Sequence, residues 1–453
     1  MPWRPRQGSE MAERARAHGG RKRVLVVGGG FGGMYTARHL EKLLPAGSAE
    51  ILLVNPENFM LYTPLLPEAA SGTVEPRHVV VPLRRVLRRS RLVIGRAVSL
   101  DVDRRTCTVQ PPEGEARVFT WDRLVLAPGS VTRVPPIPGL AEHARGFKTL
   151  SEGIYLRNHV LRQLELADAS DDAAERVQRC TFVVIGAGYA GTELVAELQV
   201  LTSRAITNYP GLRPRDVRWV LADVAAAIMP ELGAELGRIV LRTLRQRGVE
   251  VRLETGVKEV GPDWVRLTDG EEIGTRTLVW TAGVAPNPLG ARSGLPTDDK
   301  GRLLVDQYLT VQGRDDVFAL GDIALVPDQA EPSGFAPPTA QHSLREAKAC
   351  AASLAASLGE GERRPFHFKG LGLAVNLADF KGVVRAYGVP LTGFLGWFAA
   401  RSYHLLSMPT MTRRIRIGLD WGVALISPHD IAELGSLGRE ERGGSLGMES
   451  EAR

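Results

Sequence analysis

Short unbroken aliphatic runs alternate with stretches of helical spacing along most of the chain. Val24–Val27 reads VLVV, a run suited to a strand buried on both faces of a parallel sheet. A glycine-rich turn follows, then Met34, Ala37, Leu40 and Leu44 at one-face helical spacing, then a second run, Ile51–Val54. This predicts a strand–helix–strand unit. The same pattern returns about 158 residues later as TFVVIGAGYAGTELVAELQVL followed by VRWVLAD, ending at Asp223. Residues 92–125 alternate as short strands and close on RLVLAPGS, and that closing phrase recurs as TLVWTAGV after the second unit. Residues 300–322 then run through VFALGDIA, another strand leading to a Gly–Asp turn. The order is a first unit, a second unit inserted, and a return to the first.

Composition sharpens this only at the edges. The 453 residues are 44% hydrophobic, enough for two to four cores, so disorder of the whole chain is excluded. The net charge is +6, but +5 of it lies in residues 1–23, so the basic balance reports a tail and not a nucleic-acid-binding body. That tail has no apolar stretch of signal-peptide length and is expected to be disordered, with Met11 a second candidate start. No apolar run approaches a spanning length. Cys107, Cys180 and Cys350 are scattered, which removes support for a disulfide scaffold or a dithiol centre and suits a reducing compartment. No His/Cys/Asp cluster has ligand spacing, so no metal is expected.

Gly28, Gly30 and Gly33 stand directly after a buried-strand run and open a helix. In that position the first glycine allows a tight turn, the second lets a pyrophosphate approach the backbone, and the third lets helix and strand pack closely. The helix N-terminus offers free N–H groups to the phosphates. Gly186, Gly188 and Gly191 repeat the context, and Asp223 ends the following strand. A carboxylate there accepts both ribose hydroxyls and repels a 2′-phosphate. No Arg or Lys lies between Asp223 and Pro230, so NADH is expected over NADPH. The expected fold is therefore α/β, with two Rossmann-like dinucleotide-binding domains, the second inserted in the first.

The set VVGGGFGG, FMLYTPLLPEAASG, RLVLAPGS, VIGAGYAGTELVAEL, VWTAGV, VFALGDIA and PPTAQ, in order over residues 23–426, resembles the type II NADH dehydrogenases, the single-subunit, non-proton-pumping NADH:quinone oxidoreductases. The resemblance implies FAD in the first domain, NADH in the second, and a membrane quinone as electron acceptor. It assigns the FAD pyrophosphate to Gly28, Gly30 and Gly33, the returning FAD strand to Ala127 and Gly129, and the ribityl–phosphate side to Gly321 and Asp322. NADH falls to Gly186, Gly188, Gly191 and Asp223, with Ala282 and Gly283 facing the dinucleotides. Asn55 stands where the family usually has an acid; its amide can bond a ribose hydroxyl without charge assistance, and Glu57 is a substitute. The implied division is a basic tail over 1–22, FAD-binding parts over 23–150 and 291–387, an NADH-binding domain over 151–290, an amphipathic membrane-facing segment over 388–430 and a mobile tail over 431–453.

Glu193, two residues past Gly191, is expected in the first turn of its helix, where the dipole alone would favour an acid. The resemblance instead aims it at the nicotinamide–flavin contact. Ala340 and Gln341 open a helix whose N–H groups could face the flavin pyrimidine carbonyl, and the resemblance lets Gln341 donate to a quinone carbonyl. A plain helix-start amide is the alternative. His342 reads as structural, and Lys381 as a residue that could reach the flavin edge. Leu391, Phe394, Leu395, Phe398, Leu405 and Leu406, near Trp397, approximate one helical face, with Arg401, Arg413, Arg414 and Arg416 as basic anchors. That pattern fits a lipid bilayer surface at the cytoplasmic face of the membrane, or else a core or homodimer helix. A sulfide:quinone oxidoreductase shares the architecture but needs paired reactive cysteines; a flavoprotein sensor would keep the glycine loops without quinone turnover.

Overall fold

The computed structural model describes residues 21–427 and 429–434. The basic segment before residue 21 and the chain beyond residue 434 lie outside the described residues.

The first unit runs β1 (Lys22–Val27), α1 (Phe31–Leu43), β2 (Ala49–Asn55), a short helix α2 (Leu66–Ser71), β3 (Arg91–Ile94) and β4 (Arg123–Leu126). Three antiparallel strands over residues 96–120 form the link between β3 and β4. The chain then leaves through α3 (Leu150–Ala169) to a second unit: β5 (Thr181–Ile185), α4 (Tyr189–Ala205), β6 (Arg218–Ala222), β7 (Val249–Arg252) and β8 (Thr277–Trp280). A second three-stranded antiparallel link, over residues 257–274, again precedes the returning strand. β9 (Val317–Ala319) and α5 (Ala340–Ser357) complete the first unit.

Both sheets are parallel. The first has the order β9–β4–β1–β2–β3, and the second β8–β5–β6–β7 with Arg145–Gly146 beside β8. Each central strand is covered on both faces, which is why Val24–Val27 and Phe182–Ile185 are apolar without alternation. Each fully buried aliphatic side chain there contributes about 1.5–3 kcal/mol.

The carboxy-terminal region differs from the single amphipathic segment that its spacing predicts. An antiparallel sheet, β10 (Gly372–Asn376), β11 (Gly382–Ala386) and β12 (Val389–Thr392), leads to two helices, α6 (Gly393–Ser407) and α7 (Met411–Ile426). Leu391 therefore belongs to a strand, and Pro409 breaks the helical face into two. Trp397 is buried, whereas Phe394, Leu395, Phe398, Leu406, Ile415, Leu419 and Val423 are exposed. Arg401 is not a surface anchor. It lies 4.5 Å over the Trp397 ring and 4.8 Å over the Trp421 ring, and donates to Glu68 of α2 at 3.3 Å. Residues 431–434, expected to open a mobile tail, dock on α3 together with Asp430: Arg157 donates to the carbonyls of Asp430 and Ala432, and Arg162 pairs with Glu433.

Arg401 and Glu68 are both almost wholly buried. Removing one partner of such a pair strands the other charge, at a cost of ~3–5 kcal/mol. Arg401→Met is expected to lower unfolding stability by about that amount in urea melts followed by circular dichroism. A change within ~0.5 kcal/mol, typical of surface positions, would show that the pair does not pin the helices.

Candidate active site

Backbone sterics build two matching cradles. Gly28 and Gly186 adopt φ of +101° and +110°, a region that side-chain-bearing residues avoid. A Cβ on Gly33 would sit 1.8 Å from the Gly28 carbonyl oxygen, and one on Gly191 would sit 2.0 Å from that of Gly186. These contacts are why the turn and the helix that follows it can lie so close. By contrast, a Cβ on Gly30 or Gly188 would meet nothing within 4 Å. Each middle glycine thus borders open space at the start of α1 or α4, where first-turn N–H groups have no intrahelical partner. Such a cradle fits a pyrophosphate.

The acid position is also matched between the two units. The Asn55 Oδ1 accepts from the Gly29 N–H at 2.8 Å, and the Asp223 Oδ2 accepts from the Ala187 N–H at 2.5 Å. Each side chain closes its own glycine loop from the tip of the second strand. The Asn55 Nδ2 is further committed to the carbonyls of Glu57 and Phe59. Asp223 takes a second bond from the Ala225 N–H at 2.8 Å. The nearby Arg252 guanidinium pairs with Glu250, Asp269 and Glu271.

The two units meet at the carboxyl ends of their sheets, where open α/β sheets bind ligands. Directly after Ala127 and Gly129, Ser130–Thr132 pairs antiparallel with Val284–Pro286, which directly follows Ala282 and Gly283. The Arg133 N–H donates to the Gly283 carbonyl and the Asn287 N–H to the Gly129 carbonyl. Gly129 and Gly283 have positive φ and open space where a Cβ would point. Asp322 accepts from the Ser130 hydroxyl at 2.6 Å, which also takes a bond from the Lys148 ammonium. The Gly321 N–H donates to Glu346, whose carboxyl burial pushes up to about 7. Ser130, Lys148 and Glu346 thus join the predicted Gly321–Asp322 turn without having been singled out by sequence.

Three further candidates have partners or positions that only the structure shows. Glu193 is the fifth residue of α4, beyond its first turn, so the helix dipole is not what holds it. Its Oε1 accepts from the Asn376 N–H on β10 at 2.8 Å, and burial raises its carboxyl to about 8 against the lowering effect of that bond. Gln341, in the first turn of α5 beside Ala340, spends its amide on the loop before β10: Nε2 donates to the Gly372 carbonyl and Oε1 accepts from the Leu371 N–H. Lys381 is exposed on the turn into β11. Three consecutive residues before it, Ala378, Asp379 and Phe380, have positive φ. His342 is structural, as read: its ring meets the Thr339 hydroxyl that caps α5, and Glu331.

Sequence reasoning missed the polar cluster behind Glu193. Glu197, one helical turn on, accepts from the Ser71 and Thr73 hydroxyls; Asn376 Nδ2 donates to Glu68 and Glu197. The signal was present in TELVAEL, two acids four apart on an otherwise apolar helix, and in the acid of LLPEAASG. All three cysteines are buried and unpaired, with the Cys107 thiol pushed up to about 12 and the Cys180 thiol to about 11, chiefly by burial. They are not poised for sulfur chemistry.

The fold and paired cradles define a two-dinucleotide oxidoreductase, and comparison with known proteins agrees. A profile of the pyridine nucleotide-disulphide oxidoreductases matches residues 22–347. The type II NADH:quinone oxidoreductase NdhA of Mycobacterium tuberculosis is 30% identical over 428 residues, spanning 90% of this chain and 88% of that one. Demethylphylloquinone reductase NdbB of Synechocystis is 29% identical, spanning 88% and 96%. The solved structure of NDH2 from Plasmodium falciparum in complex with NADH superposes with a TM-score of 0.83 at 15% identity, over 91% of this chain and 100% of that one. The chain belongs to the pyridine nucleotide-disulphide oxidoreductases and, among them, to the type II NADH:quinone oxidoreductases. The sulfide:quinone oxidoreductase of Aquifex aeolicus shares the fold, with a TM-score of 0.68 at 18% identity.

Val224, next to Asp223, is exposed, so the expected choice of nucleotide can be tested at this pair. Wild type is expected to prefer NADH, and Asp223→Ser with Val224→Arg to move the ratio of kcat/KM toward NADPH by ~10-fold or more, the scale of one lost charge repulsion and one gained ion pair. Equal use of both nucleotides by wild type would remove this role of the carboxylate.

Proposed function

We propose that the protein is an FAD-dependent NADH:quinone oxidoreductase that works without pumping protons, at the cytoplasmic face of a membrane. The observation that carries this reading is the convergence of two sterically forced glycine cradles at one ribbon, where the carboxyl ends of both sheets meet.

The residues divide the work. Gly28, Gly30 and Gly33 would hold the FAD pyrophosphate, with Asn55 at the ribose side and Gly321–Asp322 against the ribityl chain. Asp322 is positioned for that by Ser130, and Gly321 by Glu346. Gly186, Gly188, Gly191 and Asp223 would hold NADH, with Ala282–Gly283 walling the space between. Bound flavin supplies the two-electron chemistry that the side chains lack. The unbonded N–H groups at the start of α5, Ala340 among them, favour negative charge in front of that helix. Glu193 closes the nicotinamide side, and Gln341 stands where it can turn from Gly372 toward a quinone carbonyl.

The split apolar face of α6 and α7 supports docking on a lipid bilayer. Phe394, Leu395, Phe398, Ile415 and Leu419 are each more than half exposed, and Arg413, Arg414 and Arg416 lie on the same helix pair. Among the described residues no helix is long and apolar enough to cross a membrane. The reading is therefore an interfacial contact by side chains and helix faces.

The decisive experiment is reconstitution with FAD followed by NADH oxidation with menaquinone and ubiquinone analogues. A protein that takes up no flavin, or oxidises NADH with no quinone, overturns the reading. Losing one neutral hydrogen bond is worth about 0.5–1.5 kcal/mol. Gln341→Ala is therefore expected to raise the quinone KM several-fold while leaving flavin reduction by NADH within about twofold. If both half-reactions slow together, Gln341 only braces the loop at Gly372. Phe394, Leu395, Phe398 and Ile415 together changed to Ser are expected to release the protein from anionic vesicles while a soluble short-chain quinone still supports turnover. Retention on vesicles would place the anchor elsewhere.

A further inference from the structure

The Gly321–Asp322 turn has an electrostatic problem of its own. A dinucleotide brings the negative charge of its pyrophosphate, yet this turn presents a carboxylate, Asp322. The Glu346 carboxyl stands behind the same turn, taking the Gly321 N–H. Asp322 is close enough to be among the charges that raise it. A carboxylate set against an anionic ligand needs a cation beside it and a fixed direction for its hydrogen bonds.

Lys148 supplies both. Its ammonium donates to the Ser130 hydroxyl at 2.9 Å, and that hydroxyl donates to the Asp322 Oδ2 at 2.6 Å. An ammonium has donors only, whereas a hydroxyl has one hydrogen and two lone pairs. With Lys148 on a lone pair, the single Ser130 hydrogen is committed to Asp322. The chain therefore runs one way, from cation through hydroxyl to carboxylate, and the charge at each end strengthens it. Among the described residues the Asp322 side chain takes no other hydrogen bond, which leaves its Oδ1 to accept from a ligand hydroxyl.

The three residues come from three parts of the chain. Ser130 opens the ribbon strand that pairs with Val284–Pro286, and Asp322 follows β9 of the first unit. Lys148 lies between the Arg145–Gly146 edge of the second sheet and α3. Its backbone is pinned. The Lys148 N–H and the Thr149 N–H both donate to the Glu152 Oε2, at 2.8 and 2.7 Å, at the capping box that starts α3. Phe147, next to it, is buried in the core of the inserted unit. A lysine head is ordinarily hydrated at the end of a flexible stem. Here a half-buried lysine on an anchored backbone carries its charge from the inserted unit to the turn of the first.

We propose that Lys148 is a positioning residue for the flavin dinucleotide: it fixes Ser130 as a donor to Asp322, keeps the other Asp322 oxygen for the ribityl side, and ties that side to the start of α3. The inference rests on the FAD reading of the first cradle. Lys148 touches no reacting atom in this role. It acts through Ser130 and Asp322, so its loss loosens FAD and leaves the two glycine cradles intact.

The test follows release of FAD from the loaded full-length protein, read as recovery of flavin fluorescence on dilution. Lys148→Met keeps the apolar stem and removes the charge. It is expected to speed release by ~10-fold or more, the scale of one lost charge-assisted hydrogen bond. Lys148→Arg keeps a donor-only cation and should return release to within ~3-fold of wild type. In a Ser130→Ala background the path to Asp322 is already broken, so Lys148→Met should add no more than ~3-fold. Stripped of FAD, Lys148→Met and wild type should share one urea midpoint. Release within ~2-fold of wild type in Lys148→Met would overturn the proposal, as would an arginine variant no better than the methionine one. Equal effects of Lys148→Met with and without Ser130 would also overturn it, because the lysine would then act independently of the chain, and an earlier urea midpoint in the stripped variant would assign it to folding. A wild type that takes up no FAD removes the flavin reading itself, whereas a wild type that binds FAD beside unaffected variants removes only the role of Lys148.

Discussion

One buried carboxylate holds four elements to each other. Glu68, on a helix of only six residues, accepts from Asn376 of β10, Arg401 of α6 and Trp421 of α7, with Ser71 and Thr73 linking the same helix to Glu197 of α4. A desolvated carboxylate must find donors, and here each donor comes from a different segment of the chain. The first dinucleotide unit, the inserted unit, the third sheet and the carboxy-terminal helices are thereby locked in one arrangement. Arg401 is stacked between two indole rings to deliver its part, which turns a residue with the look of a lipid anchor into an interior one.

That arrangement shapes the chemistry the site can support. The ribbon between Ser130–Thr132 and Val284–Pro286 sets the two cradles mouth to mouth, and the cluster around Glu68 forms the wall behind Glu193. Beside the carboxylate that pins the helices, burial raises the carboxyls of Glu193 and Glu197.

The carboxy-terminal pair of helices is bound on one side and open on the other. Trp397, Arg401, Ile417 and Trp421 face the protein, while Phe394, Phe398, Ile415 and Leu419 face outward. An apolar surface of that extent on a protein whose cores are otherwise covered marks an interaction face. Its place beside a cavity wall at Leu425 and Ile426 puts the exposed apolar surface and the polar cluster within one helix of each other.

Much of this was legible in the sequence. The doubly covered strands, both glycine cradles, the inserted order of the units and the position of Asp223 follow from local rules, because a buried parallel strand and a phosphate turn each impose their own residues over a few positions. The family motifs add the reaction, since they carry the site in order along the chain. What sequence could not decide was which polar groups become interior. Arg401 reads as a surface cation and is held inside by Glu68, and the bonds of Glu193 to Asn376 and of Gln341 to the Gly372 carbonyl likewise come from segments far away in the chain. A charge's neighbours depend on how separate elements pack, and that is settled only when the tertiary structure forms and desolvation forces each buried group to find its bond.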